Sequence, residues 1–196
     1  MSKPFDAAYY ARFYGDKATR VSGLGDTRKL ARFVSGYLDY LDVPVRRVLD
    51  AGCGLGRWKL ALAEHYPRAR YTGLEWSEHL CARFGWQQGS IADYRGRGRY
   101  DLLVCQGVLQ YLSDRDAERA LDNLGRLCRG ALYLEVLTAE DWKDACDRRA
   151  TDGEVHRRPA AFYRKRLARH FIAVGGGLFV HKDAGAVLYA LERAER

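Results

Sequence analysis

Between residues 46 and 137, short apolar runs alternate with stretches whose apolar residues recur at helical spacing, the pattern of βαβ units around a parallel sheet. Strands are predicted over residues 46–51, 70–75, 86–89, 101–106 and 131–137, most of them rich in Val, Leu, Tyr or Cys. Helices should fill the gaps. The first is expected over about 55–66, with Pro67 just beyond its end. Another should start near Ser113, where Ser-Asp-Arg-Asp offers an N-cap and early acids, and should bury Leu121, Leu124 and Leu127. After 137 come a polar segment to about residue 158, a basic helix over 159–170, and two apolar runs, 171–180 and 186–191, which read as a closing hairpin. Gly175-Gly176-Gly177 interrupts the first run and reads as a bulge or kink, because no Lys-Ser/Thr and no strand–loop–helix order make it a phosphate loop.

Upstream, Phe5, Tyr9, Tyr10, Phe13 and Tyr14 recur at spacings of three to five and form one broad aromatic face. Residues 1–43 are therefore expected to be a helical cap on a core of 44–196, the whole making one domain. Either a cover over a ligand or a helix packed on the sheet accounts for that face.

Composition narrows the class. The 196 residues are 47% apolar and 30% charged, with no apolar stretch approaching the roughly 18 residues of a membrane span. The first 16 residues lack the positive start and apolar run of a secretory signal, so a cytoplasmic protein is expected. Five widely spaced cysteines, at 53, 81, 105, 128 and 146, include no Cys-x-x-Cys pair, which argues against a disulfide framework or a metal site. The formal charge of +8 is unevenly placed: residues 143–170 hold nine Lys/Arg against four Asp/Glu, whereas 46–142 hold fourteen against thirteen.

The chemistry concentrates where the first strand ends. Val48-Leu49-Asp50-Ala51-Gly52-Cys53-Gly54-Leu55-Gly56 passes from strand to helix through a turn that needs glycine, both for unusual backbone angles and so that no Cβ holds a ligand away. A dinucleotide site wants Gly-x-Gly-x-x-Gly. Here the third glycine comes one position early and Arg57 stands where it is wanted. Asp50 would repel a phosphate but can accept hydrogen bonds from a cationic or neutral ligand. Glu75 closes the second strand, 19 residues after Gly56, where an acid can accept both hydroxyls of a ribose.

These residues, Val48 to Trp58 and Tyr71 to Ser77, resemble motifs I and II of the class I, Rossmann-like S-adenosylmethionine-dependent methyltransferases, the likeness spanning about residues 45–137. The resemblance implies an α/β fold with a seven-stranded, mostly parallel sheet, an antiparallel last strand and helices on both faces, with S-adenosylmethionine as cofactor. It places Gly52, Cys53, Gly54 and Gly56 against the cofactor backbone, Asp50 at its amino group, Glu75 at its ribose and Trp76 on one adenine face. It also sets Ser90 and Ile91 at the adenine edge and gives the Gln106 carbonyl to the methionine ammonium. The family's usual Gly-Asp after the third strand is replaced by Gly89-Ser90; Asp93 comes three residues late and shares the adenine role with the Ile91 N–H. Arg20 is a candidate for the cofactor carboxylate.

The acceptor side is less marked. His156 could serve as a base near neutrality, and Tyr10 and Tyr14 offer polar tips on apolar bodies. No Asn-Pro-Pro-Tyr or Pro-Cys signature marks a nucleobase methylase. A small-molecule acceptor methylated on oxygen or nitrogen is the leading expectation. An RNA or protein acceptor reached through the basic 143–170 surface, and a non-catalytic nucleotide-binding partner protein, remain the alternatives.

Overall fold

The computed structural model describes residues 5–10, 23–148 and 151–194. Seven strands form one sheet: β1 (Arg47–Ala51), β2 (Arg70–Glu75), β3 (Gln87–Gln88), β4 (Tyr100–Gln106), β5 (Cys128–Glu135), β6 (Phe171–Gly175) and β7 (Leu178–His181), in the order β3-β2-β1-β4-β5-β7-β6. The first five run parallel; β7 is antiparallel to both β5 and β6. The helices are α1 (Ala7–Tyr10), α2 (Leu24–Tyr40), α3 (Arg57–Ala63), α4 (Glu78–Phe84), α5 (Asp114–Leu127), α6 (Ala139–Asp144) and α7 (Ala160–Leu167).

Strand alternation divides the core between the two faces of the sheet. Val48, Leu102, Val104 and Tyr133 pack beneath α2 and α3, against Ala31, Val34, Leu38 and Leu62. Leu49, Leu103, Cys105 and Leu132 pack on the other face against Leu121 and Leu124 of α5 and Leu167 of α7. Burial of these side chains is worth about 1.5–3 kcal/mol each. The helix expected from Ser113 begins there: the Ser113 hydroxyl accepts from the Asp116 N–H at 3.2 Å and caps α5.

Several expected boundaries move. The first helix is shorter than 55–66 because Gly56, at φ 71°, is its N-cap, and the chain leaves it into the turn before Pro67. The fifth strand starts at Cys128, directly after α5, and ends at Glu135 rather than 137. The basic helix covers Ala160–Leu167, with Pro159 as its N-cap.

The closing hairpin needs correction. Both of its strands lie inside the first late run, and the glycine triplet is the turn between them, with φ of 91°, 57° and 76° at Gly175, Gly176 and Gly177. Residues 186–191 form no strand. Val187, Tyr189 and Leu191 are exposed, and Leu188, with the partly buried Ala186, turns in to the α2 layer. The physical reason is that three consecutive positive-φ residues reverse the chain at once, which alternating polarity in the flanking run does not reveal.

This turn generates a stability test. A Cβ at Gly177 would lie 2.8 Å from the Leu134 carbonyl oxygen, a backbone atom that cannot step aside, whereas one at Gly175 meets nothing within 4 Å. Gly175→Ala should cost about 1–2 kcal/mol from backbone strain alone. Gly177→Ala should cost clearly more, about 2–4 kcal/mol, in urea denaturation. Equal losses would show that the turn does not press on β5.

Candidate functional site

The strand order reverses between β1 and β4, and in open α/β sheets ligands bind beyond the carboxyl ends of the strands at that point. A cavity of about 710 Å³ opens there, lined from α1 by Tyr9 and Tyr10, from α2 by Thr27 and Lys29, and from the strand ends by Asp50, Glu75, Gln106 and Glu135. Its size is typical of a small-molecule pocket.

Its floor is the turn between β1 and α3. Gly52, Gly54 and Gly56 all have positive φ, and each lacks a side chain for its own reason. A Cβ on Gly52 would fall 2.2 Å from Val108 Cγ2; one on Gly54 would project into open space, its nearest neighbour being the Gly52 carbonyl at 4.0 Å. Gly54 thus leaves a cradle that any side chain would fill. At Gly56 and Gly73 a Cβ would meet the Trp86 indole at 2.8 and 2.6 Å, and the Trp86 Nε1–H donates to the Gly54 carbonyl at 2.9 Å. Trp86 therefore props the turn from beneath. Gly56 does not line the cavity, and its missing side chain serves Trp86 rather than a ligand.

Glu75 ties this turn to the next. Its Oε2 accepts from the Gly54 N–H at 2.8 Å, and its Oε1 accepts from the Trp76 and Ser77 N–H groups, both at 2.9 Å. The Tyr10 hydroxyl donates to the same Oε1 at a longer 3.4 Å and brings α1 over the cavity. Asp50, one strand away, is 2% exposed and accepts from the Tyr71 hydroxyl. Burial pushes its carboxyl up to about 7; the Tyr71 hydrogen bond opposes this, and the nearby Glu75 charge adds to it. Burial also raises the thiols of Cys53 and Cys105, which remain protonated and are not nucleophiles.

The remaining expected residues are placed as follows. Trp76 is half exposed at the cavity, and Ser90 and Ile91 line it beside Gly89. The Ser90 hydroxyl accepts from the Ala92 N–H at 3.2 Å and so holds its own turn. Asp93 also lines the cavity but is exposed and paired with Arg119. The Gln106 carboxamide is fixed at both ends, accepting from Trp58 Nε1 at 2.7 Å and donating to Glu135 Oε2 at 3.1 Å. His156 is exposed, donates its backbone N–H to the Gln110 carbonyl, and does not line the cavity, because the loop carrying it folds back on the turn after β4. Phe13, Tyr14 and Arg20 lie outside the described residues. Of the stretch expected as a cap, α1 lines the cavity, whereas α2 packs on the sheet with α3.

Comparison with known proteins follows the same lines. A family model described as a methyltransferase domain matches residues 48–130, the stretch that holds the glycine turn, Asp50 and Glu75. Trans-aconitate 2-methyltransferase of Deinococcus radiodurans is 34% identical over 108 residues, covering 50% of this chain and 40% of that protein. The chain spans 40–56% of the length of the curated relatives it matches. Among solved structures, Streptomyces venezuelae DesVI superposes with a TM-score of 0.63 at 16% identity, over 91% of this chain and 99% of that one. N-methyltransferase NodS of Bradyrhizobium japonicum, in complex with S-adenosylhomocysteine, gives 0.59 at 18% identity over 89% and 97%. The chain has the fold of the class I, Rossmann-like methyltransferases, and its residues 48–130 are similar to their methyltransferase domain.

In this chain the basic run 157–169 is largely occupied within the fold. Arg158 is 5% exposed and donates to the Leu109 and Leu112 carbonyls and to Asp114. Arg166 pairs with Glu118 over the Phe162 ring, Arg169 pairs with Asp122, and Arg157 lies 4.0 Å over the Trp142 ring. Sequence reasoning missed Trp58, Tyr71, Trp86 and Glu135. The last was the most accessible, being an acid at the end of an apolar strand like Asp50 and Glu75.

Asp50 provides a test independent of any ligand. Its carboxyl titrates near 4 in the unfolded chain and near 7 when folded, so between these values the folded state binds the extra proton and stability falls as pH rises. The loss is on the order of 4 kcal/mol at most and levels off above pH 7. Asp50→Asn can still accept from Tyr71 and carries no such penalty. The variant should match the wild type near pH 4 and exceed it in stability at pH 8, measured by denaturant midpoints. Parallel pH curves would show that Asp50 is not strained by burial.

Proposed function

We propose that this protein uses S-adenosylmethionine to methylate an oxygen or nitrogen of a small molecule. The observation that carries the reading is the pairing of an open glycine cradle at Gly54 with two buried carboxyls, Asp50 and Glu75, at neighbouring strand ends. A pyrophosphate would face both acids at close range, whereas a ligand with a sulfonium, an ammonium and a ribose diol would be met by acceptors throughout. Lys29 and Arg57, which line the same cavity, suit the one carboxylate such a ligand carries. Relatives named as methyltransferases, one of them holding S-adenosylhomocysteine, support the reading.

The cofactor, when bound, supplies a methyl group on a sulfur that is already a good leaving group. The protein's task is alignment and exclusion of water. Glu75 accepts ribose hydroxyls with the lone pairs its backbone donors leave, the Tyr10 hydroxyl being the partner most easily exchanged. Asp50 accepts from the amino group, directly or through water, and Trp76 covers the adenine. No observed feature favours an RNA or protein acceptor, since Arg158, Arg166 and Arg169 are held by carbonyls and acids of the fold. No helix among the described residues is long and apolar enough to cross a membrane, and cytoplasmic residence is part of the proposal.

Calorimetry should show binding of S-adenosylmethionine and none of NAD, with binding lost in folded Asp50→Asn and Glu75→Gln variants. Because the ligand's cationic groups favour ionised Asp50, affinity should fall about tenfold per pH unit below 7 and be flat above it. Binding of NAD alone would overturn the assignment.

A further inference from the structure

The aromatic segment at the start of the chain joins two sides of the cavity. At the β2 end the Ser77 hydroxyl donates to the Phe5 carbonyl at 2.5 Å, and the Tyr10 hydroxyl donates to Glu75. From there α1 reaches the loop after β4: the Tyr9 and Tyr111 hydroxyls meet at 2.9 Å, and the Phe5 ring packs edge-to-face with both of their rings. That loop in turn lies on the turn after β1, since Val108 occupies the space a side chain at Gly52 would need. In the sheet, β1 stands between β2 and β4. The hydroxyl pair therefore bridges the stretch of cavity between a ribose at β2 and an amino acid part over β1 and β4, which is where the methyl group of the proposed cofactor lies.

A buried acid stands behind this pair. Asp152 is 8% exposed and outside the cavity lining; its Oδ2 accepts from the Tyr111 hydroxyl at 3.1 Å and its Oδ1 from the Glu154 N–H at 3.0 Å. The segment that carries it is fastened to the loop that carries Tyr111, the His156 N–H donating to the Gln110 carbonyl at 2.8 Å and Arg158 to the Leu109 carbonyl at 3.0 Å. A tyrosine hydroxyl has one proton and two lone pairs. Tyr111 gives its proton to Asp152, so Tyr9 is the donor within the pair, and the three groups form a directed chain from the cavity to the acid. Toward a ligand both hydroxyl oxygens act as acceptors, which favours a group that brings a proton and disfavours a carboxylate.

We infer that the methyl acceptor is a small phenol, whose proton leaves through Tyr9 and Tyr111 to Asp152. The inference rests on the methyl-transfer reading and narrows it. A proton passes most easily between groups of like acidity, and phenols as a class titrate at about 10 in water, whereas aliphatic alcohols are far weaker acids and carboxylic acids are already ionised. The rings of Phe5, Tyr9 and Tyr111 also suit a flat apolar body with one polar tip. A lone pair of the phenol oxygen forms the bond to the methyl carbon while the carbon–sulfur bond breaks and leaves its electron pair on sulfur. The phenol proton goes to the Tyr9 oxygen, the Tyr9 proton to Tyr111 and the Tyr111 proton to Asp152 Oδ2, which releases it to bulk water. Asp152 is a positioning residue: it acts only through Tyr111, directing the chain and receiving its proton.

Binding of phenol and of anisole to the protein–S-adenosylhomocysteine complex is measured by calorimetry. Methyl transfer to phenol, 4-nitrophenol, tyramine and 4-hydroxyphenylacetate is followed by mass spectrometry that locates the methyl group. Phenol should bind roughly tenfold more tightly than anisole, its methyl ether with no proton to give, and Tyr9→Phe should remove the difference. Tyramine and 4-hydroxyphenylacetate, which set a phenol against an amine and a carboxylate, should be methylated on the phenol oxygen. Asp152→Asn and Tyr111→Phe should each lower kcat for phenol roughly 100-fold, with S-adenosylmethionine affinity as in the wild type for Asp152→Asn. Both variants should keep the wild-type rate with 4-nitrophenol at pH 8, where that acceptor is an anion and has no proton to pass on; a purely structural role would slow both acceptors alike. Equal binding of phenol and anisole, transfer to nitrogen or carboxylate instead, equal losses with the two phenols, or no transfer to any of the four overturns the phenol assignment while leaving the cofactor reading intact. Failure of S-adenosylmethionine to bind overturns the reading beneath both.

Discussion

One carboxylate holds the site together. Glu75 accepts backbone N–H groups from Gly54 on one side and from Trp76 and Ser77 on the other, so the turn after β1 and the turn after β2 share a single acceptor. Hydrogen bonds to a charged acceptor are the stronger kind, and each of these satisfies a donor that a tight turn would otherwise leave exposed. The same arrangement limits what the cavity can bind. With Glu75 in place the glycine turn cannot serve as the amide nest for a phosphate, because one of its N–H groups is already committed and a negative charge stands beside it.

The fold was legible where burial writes a period into the sequence. Leu121, Leu124 and Leu127 marked α5, and the Ser113 cap sets its first turn. The apolar runs marked the parallel strands, since a strand covered on both faces is apolar at nearly every position. The hairpin was misread because its decisive feature is a backbone angle. Gly175–Gly177 could be a bulge or a two-strand turn on composition alone, and an exposed, irregular tail carrying Val187 and Leu191 imitates a strand.

The site shows the same division. Asp50 and Glu75 were visible because strand, turn and helix follow one another without interruption, so local order in the chain is local order in space. Trp86 and Tyr71 were not: each acts across the sheet on a residue more than twenty positions away, Trp86 on Gly54 and Tyr71 on Asp50. The basic run misled in the opposite direction. Arg158, Arg166 and Arg169 read as a charged surface, yet their partners Asp114, Glu118 and Asp122 stand one helical turn apart along α5 and meet them there. A charge count by segment cannot see that match.

A chain of formal charge +8 thus encloses a cavity that has acids at its strand ends. The two facts act over different distances. Exposed arginines set a field that salt screens within about 8–10 Å of the surface, whereas groups inside a partly desolvated cavity are screened far less. Ligand selection therefore follows the inner groups. An anion drawn to the surface would still meet Asp50, Glu75 and Glu135 at the strand ends, and a cation that reaches the cavity is met by carboxylates already fixed by Tyr71, by backbone amides and by Gln106.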